Sequence, residues 1–143
     1  MPVVLVELPG ERYWEAMDQF VRQQLLARDL ICPEDLSFYK IVHSAEEAVN
    51  SITAYYTIYH SMRQVKDKLV IRLEKEITDT QVMELNEHFS DLIQSGNIFK
   101  TSSLPGEEEE PHLQAKPRIA FFYNHSSAGR LYQMIQTINK MGY

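Results

Sequence analysis

Short apolar runs alternate with longer amphipathic stretches over the first 60 residues of the chain. Residues 2–7 form a continuous apolar run rich in β-branched side chains, which predicts a strand covered on both faces, as in a parallel sheet. From Glu11 onward the apolar side chains recur every three or four residues, which predicts an amphipathic helix of about four turns. The inward positions of this helix are Trp14, Met17, Val21 and Leu25.

A second strand and a second helix follow. Residues 38–42 are mainly aromatic and β-branched, which predicts a strand. Ser44 and Glu47 have the spacing of a capping box, and apolar residues then recur at helical spacing as far as Tyr59. We expect this helix to end near Ser61, so the first part of the chain is predicted to be β-α-β-α.

The burial pattern changes further along the chain. Residues 69–74 alternate between apolar and mostly polar side chains, which predicts a half-exposed strand. Thr78 and Gln81 form another capping box, and an amphipathic helix is predicted to continue from there through Ile93. Gly96 follows where a left-handed residue commonly ends a helix, so we expect it to be the C-cap.

The last third contains two predicted strands, a polar loop and a helix. Residues 98–101 predict a short strand, and residues 102–116 are polar and contain Pro and Gly, which predicts a mobile loop. The four consecutive glutamates Glu107–Glu110 repel one another, so we expect them to stay solvated. Residues 117–123 predict the final strand, and a serine-capped amphipathic helix follows it.

These patterns predict an α/β chain made of two small lobes. Residues 1–60 resemble a truncated, Rossmann-like β-α-β-α segment of a parallel sheet. Residues 66–143 are predicted to be a small β-α-β-β-α lobe, an incomplete ferredoxin-like layer with its helices on one face. The junction is expected between residues 59 and 66, and no internal repeat is visible.

Length and charge narrow the possible functions. With 143 residues the chain is one compact unit or two lobes sharing a core. The 14 basic and 20 acidic residues give a net charge of −6, which opposes binding to a phosphate backbone, so no nucleic-acid partner is expected. The apolar start at residues 3–6 is too short for a signal peptide or a membrane span. Cys32 is the single cysteine, which indicates a reducing, cytoplasmic location.

Few residues suggest chemistry by their spacing. The five histidines lack metal-ligand spacing, so no metal site is predicted, and no catalytic residue or cofactor is assigned. Ser126, Ser127 and Arg130 lie at a predicted helix N-terminus and could bind an anion, although capping serines beside a surface arginine explain them more simply. The tyrosines clustered at positions 55, 56 and 59 are interpreted as core or interface packing rather than as a stacking site.

Several strings resemble the C-terminal part of the Rossmann-like domain of the LOG (Lonely Guy) family, also known as "possible lysine decarboxylase". Pro2-Val3-Val4-Leu5-Val6 is similar to the strand that follows the family's active-site segment. The similar strings after it are Tyr13-Trp14 with Phe20, Asp29-Leu30-Ile31 and Ile41-Val42-His43-Ser44-Ala45-Glu46-Glu47-Ala48. Tyr59-His60-Ser61-Met62-Arg63 with Leu69-Val70-Ile71-Arg72-Leu73 looks like the extension of longer bacterial members.

The resemblance implies a nucleotide hydrolase that cleaves the N-glycosidic bond of nucleoside 5′-monophosphates. That family uses a PGGxGTxxE motif and an upstream arginine, and neither is present in this sequence. Pro9-Gly10-Glu11 shares only the beginning of the motif, so no catalytic residue is carried over. The implied role is that of a non-catalytic C-terminal region, not active alone, that supports structure and oligomerisation.

Two partner hypotheses follow from this interpretation. A strand at residues 2–7 without neighbours on both edges leaves backbone groups and apolar surface uncovered, so we expect a homo-oligomer or an N-terminal LOG-like half to cover them. No membrane partner is expected. The alternative is an autonomous interaction or ligand-sensing module built on residues 66–143.

Overall fold

The computed structural model describes residues 1–142 and confirms the α/β fold class. Its strands are β1 (Val3–Val6), β2 (Tyr39–Val42), β3 (Tyr59–Val65), β4 (Lys68–Leu73), β5 (Ile93–Thr101) and β6 (Arg118–Tyr123). Its helices are α1 (Tyr13–Phe20), α2 (Ala45–Tyr55), α3 (Asp79–His88) and α4 (Ala128–Lys140). Short helical turns occupy Val21–Leu25 (π), Leu26–Arg28, Pro33–Phe38, Ser90–Leu92 and Pro111–Leu113 (3₁₀).

The first lobe contains a two-stranded parallel sheet. β1 pairs with β2 in the register Val3↔Tyr39 to Val6↔Val42, and α1 lies in the connection between the two strands. In the single chain β1 is not covered on both faces, since Val3 is 45% and Val6 39% exposed; whether a partner covers them stays a prediction. Among residues 1–142, β2 is the only strand that pairs with β1, so its outer edge and part of its apolar surface stay uncovered.

The second lobe is an antiparallel sheet in the order β3-β4-β6-β5. One face of β4 and β6 packs against α3 and α4, and this layer contains most of the buried apolar side chains. The central members of this core are Leu69, Ile71, Leu73, Leu85, Ile119, Phe121, Met134, Ile135 and Ile138. Alternate residues of a strand face the same side, which is why Leu69, Ile71 and Leu73 enter the core together.

The segment expected to be a helix end and a junction is instead β3. It pairs with β4 in a hairpin whose turn includes Lys66 at φ 55°. The side chain of Asn139 ends α2: its Oδ1 accepts hydrogen bonds from the N–H groups of Ile58 and Tyr59 at 2.9 and 2.8 Å. This partner lies about 80 positions away in sequence, so no local pattern could indicate it. The second lobe is therefore β-β-α-β-β-α.

The predicted C-cap at Gly96 is also wrong. α3 ends at His88, the 3₁₀ turn at Ser90–Leu92 follows it, and Gly96 lies inside β5. Gly96 has φ +67° in a stretch of β5 where the register with β6 shifts, which is the position of a bulge. β5 consequently begins at Ile93, five residues before the predicted strand.

β4 is buried on both faces, although alternation predicted a half-exposed strand. The segment 104–113 crosses the sheet face opposite α3 and α4, and we call it the acidic strap. Leu104 packs there against Val65, Val70 and Ala120. The polar strand positions therefore lie beneath the strap rather than in solvent.

Candidate functional site

The predicted anion-binding residues meet at the N-terminus of α4. Ser127 Oγ accepts a hydrogen bond from the N–H of Arg130 at 3.1 Å, as an N-cap does. The Ser126 N–H donates to Asn124 Oδ1 at 3.0 Å. Arg130 Nε donates to Asp91 Oδ2 at 3.0 Å, so a carboxylate already neutralises the guanidinium. Anion binding at this helix end stays a prediction, with Asp91 as an internal competitor.

The glutamate run is solvated only in part: Glu108 and Glu109 are exposed as expected, whereas Glu107 is 1% exposed. Arg72 donates from Nε and Nη2 to Glu107 Oε1 at 3.0 and 2.8 Å. It also donates from Nη2 to Glu110 Oε2 at 2.7 Å. Arg63 donates to the same Glu110 oxygen at 3.2 Å. These arginines fix the acidic strap on the sheet and lower the pKa of Glu110 below its ordinary value.

Two buried arginines lie opposite each other under the strap. Arg72 on β4 pairs in register with Arg118 on β6, and like charges at such positions destabilise a sheet. Glu107 offsets this repulsion, since its Oε2 lies 3.7 Å from Arg118 Nε. Arg118 also donates to the carbonyls of Leu113 and Gln114 at 2.7 and 3.1 Å. The network therefore attaches the strap to the fold, although Arg118 Nε itself is buried without a hydrogen-bond partner among residues 1–142.

The carboxylate of Glu7, which follows β1 directly, binds the backbone N–H groups at the start of α1. Glu7 is 2% exposed and accepts hydrogen bonds from the N–H groups of Glu15 and Trp14 at 2.8 and 3.2 Å. Burial opposes ionisation of Glu7, but these backbone donors outweigh it and lower the pKa of Glu7. A carboxylate at a helix N-terminus satisfies the free N–H groups that a phosphate would otherwise bind. The N-terminus of α1 therefore has a structural cap.

A cavity of about 470 Å³ lies where the two lobes meet, and we call it the interlobe cavity. It is bounded by both strands of the parallel sheet, by α2 and by α4. Its walls include Val4, Lys40, Ser51, Tyr55, Tyr132 and Lys140. None of the described residues that line it is Asp or Glu, although acidic residues outnumber basic ones in the chain.

Aromatic side chains form one wall of the interlobe cavity. The rings of Tyr55 and Tyr132 stack with centroids 5.2 Å apart and planes inclined by 28°. Phe38 meets Tyr132 edge to face at 5.9 Å, so the first lobe contacts the same wall. Burial of Tyr55 and Tyr59 in the core confirms the packing role predicted for these two tyrosines, whereas Tyr56 is 40% exposed.

The polar groups around this wall differ in whether they have a hydrogen-bond partner. Tyr39 donates from its hydroxyl to Asp18 Oδ1 at 2.6 Å. The Tyr55 hydroxyl is buried without a hydrogen-bond partner among residues 1–142. Lys40 Nζ donates to Ser51 Oγ at 3.1 Å, and within the described chain neither Lys40 nor Lys140 forms an ion pair with a carboxylate. Sequence reasoning missed these two lysines, because 100 positions separate them.

The residues described contain no group of three or more His, Cys, Asp or Glu side chains placed to hold a metal ion. No helix within 1–142 is long and apolar enough to cross a membrane. No family model, curated protein or solved structure matches the chain.

Proposed function

We propose that this chain is the non-catalytic C-terminal region of a LOG-like nucleoside 5′-monophosphate phosphoribohydrolase, where it supports structure and oligomerisation. The observation that carries the proposal is the lack of a core in the first lobe. In residues 1–54, all of which are described, Val42 is the one hydrophobic side chain that is buried. A parallel sheet normally has both faces covered, and two strands alone are marginal.

Exposed apolar side chains extend over several elements of this lobe. They come from β1 and its exit, from α1 and from α2: Val3, Val6, Leu8, Tyr13, Phe20, Val49, Ile52 and Tyr56 are each at least 39% exposed. Contiguous apolar surface on a folded lobe commonly marks an interface with another protein surface. This distribution fits a lobe that completes a larger α/β layer.

The free edge of β1 offers backbone groups to such a layer. The N–H of Glu7 donates to the Val42 carbonyl at 2.8 Å, so residues 5 and 7 face β2. Alternate residues of a strand direct their hydrogen-bonding groups to opposite edges, so the N–H of Val6 points away from β2. A further strand could pair at this edge, supplied by an N-terminal LOG-like half or by a second copy of the chain.

The chain is not proposed to be an enzyme by itself, since it lacks the PGGxGTxxE motif of the family it resembles. A complete active site would be supplied by the N-terminal half. A cytoplasmic location belongs to the same proposal and agrees with an exposed, unpaired Cys32.

The proposal is tested by co-expressing the chain with a LOG-like N-terminal half that carries PGGxGTxxE. We expect a co-purifying complex with phosphoribohydrolase activity, or a homo-oligomer that persists on dilution in light scattering. Val6→Pro removes the outward N–H and should weaken either assembly, whereas the matched control Val6→Thr keeps that N–H and should assemble normally. A monomer at all concentrations that also fails to bind the half would contradict the proposal and favour an autonomous module.

A further inference from the structure

We propose that the interlobe cavity binds a small organic anion with a planar apolar body. The volume of about 470 Å³ lies within the range of roughly 300–1,000 Å³ typical of small-molecule sites. Such sites occur preferentially between domains and combine apolar walls with a few polar groups. The interlobe cavity has both properties.

The charge around the cavity selects for an anion. Lys40 and Lys140 both line it, and no Asp or Glu does so among the described residues. Both lysines are exposed, so their stems can cover the apolar walls while their ammonium groups stay in contact with water. An anionic ligand could accept charge-assisted hydrogen bonds from either ammonium group.

The walls select for a planar body. Tyr132 presents a ring that is already ordered on one side by stacking on Tyr55. A flat apolar group in the cavity can contact this aromatic wall, which belongs to the second lobe, and residues Val3 and Val4 of the first lobe. The ligand would therefore contact both lobes and stabilise their contact.

The position of the cavity separates it from the chemistry proposed for the complete protein. Its strand residues, Val3 and Val4 in β1 and Tyr39 and Lys40 in β2, lie at the starts of the two parallel strands. Ligands of open α/β sheets commonly bind outside the carboxyl ends of the strands. The interlobe cavity is at the other end, where the two parallel strands begin.

Isothermal titration calorimetry on the full chain tests the proposal with three probes of matched shape. 2-Naphthoate and 2-naphthyl phosphate are anionic, whereas 2-naphthamide is neutral. We expect at least one anion to bind about tenfold or more tightly than the amide. The tighter of the two anions identifies whether carboxylate or phosphate is preferred.

Variants locate the binding. Lys40→Gln and Lys140→Gln should each weaken the anion about tenfold, whereas the control Lys75→Gln removes an exposed positive charge elsewhere and should leave affinity unchanged. Ala54→Phe fills the cavity without changing charge and should also abolish binding. Equal affinity for the amide, equal loss in Lys75→Gln, or no binding of either anion at about 1 mM would overturn the proposal.

Discussion

Gly129 packs so closely against Glu34 that a Cβ at Gly129 would lie 2.6 Å from the carbonyl carbon of Glu34. The obstructing atoms belong to the backbone of the Pro33–Phe38 turn, so no side-chain rotation can relieve the overlap. This contact joins the first lobe to the N-terminal turn of α4. The relative position of the two lobes therefore depends on a residue without a side chain.

Gly129→Ala is expected to destabilise the protein by about 1–3 kcal/mol, because the turn or the helix must shift. The measurement is the free energy of unfolding in urea. At an open helical position the same substitution would stabilise by about 0.5–1 kcal/mol. A gain in stability would thus show that the lobes do not make this contact in solution.

Asn139 connects the end of α2 to the start of β3 with one buried amide. Its Oδ1 accepts two backbone hydrogen bonds and its Nδ2 donates to the carbonyl of Tyr55. Asn139→Ala leaves these buried groups unpaired and should cost about 2–3 kcal/mol in unfolding free energy. Gln136→Ala, one turn earlier on α4, is the control and should cost much less. Similar losses for the two variants would contradict the assignment.

The elements that were predictable from sequence are those whose signals are local. The capping box of α3 is an example, since Thr78 Oγ1 accepts from the Gln81 N–H and Gln81 Oε1 accepts from the Thr78 N–H. Features that depend on remote partners were not predictable. β3 begins where Asn139 ends α2, and the acidic strap is held by Arg72 from another strand. The interlobe cavity likewise exists only because folding brings distant residues together.

Tyr39 should make stability depend on alkaline pH. Burial, and then the hydrogen bond to Asp18, raise the pKa of Tyr39 to about 12. An unfolded tyrosine ionises near pH ~10. The folded state therefore retains a proton that the unfolded state loses, so this stabilisation is complete below about pH 10 and is lost as pH rises towards 12.

Burial raises the pKa of Tyr55, Tyr59, Tyr123 and Tyr132 as well, so ultraviolet difference spectroscopy should show several late-titrating tyrosines, of which one disappears in Tyr39→Phe. The unfolding free energy of that variant should decline less steeply between about pH 10 and 12 than that of the parent chain. An unchanged titration curve in the variant would contradict the assignment to Tyr39.

Tyr55 and Tyr123 provide a matched pair of hydroxyl deletions. The Tyr55 hydroxyl is buried without a partner in the described chain, and burial raises the pKa of Tyr55. The Tyr123 hydroxyl instead donates to the Ser127 carbonyl at 3.1 Å. Tyr55→Phe removes an unsatisfied polar group and should be neutral or stabilising, whereas Tyr123→Phe should cost about 1 kcal/mol. Thermal and urea unfolding measure the stability of both variants. A larger loss of stability in Tyr55→Phe than in Tyr123→Phe would contradict the interpretation of Tyr55.

The carboxylate of Glu107 is a shared counterion for Arg72 and Arg118, which lie opposite each other under the acidic strap. Glu107→Gln keeps the shape of the side chain but removes its charge, so two buried arginines would lose their common counterion. Breaking a buried ion pair in this way should cost about 3 kcal/mol. Glu109→Gln is the control, because Glu109 is 82% exposed and its pair with Arg63 should contribute less than about 1 kcal/mol. Equal unfolding free energies for the two variants would mean that the acidic strap is not held by this carboxylate. In that case, backbone hydrogen exchange at Leu104 and Leu113 would be as fast in the parent chain as in Glu107→Gln.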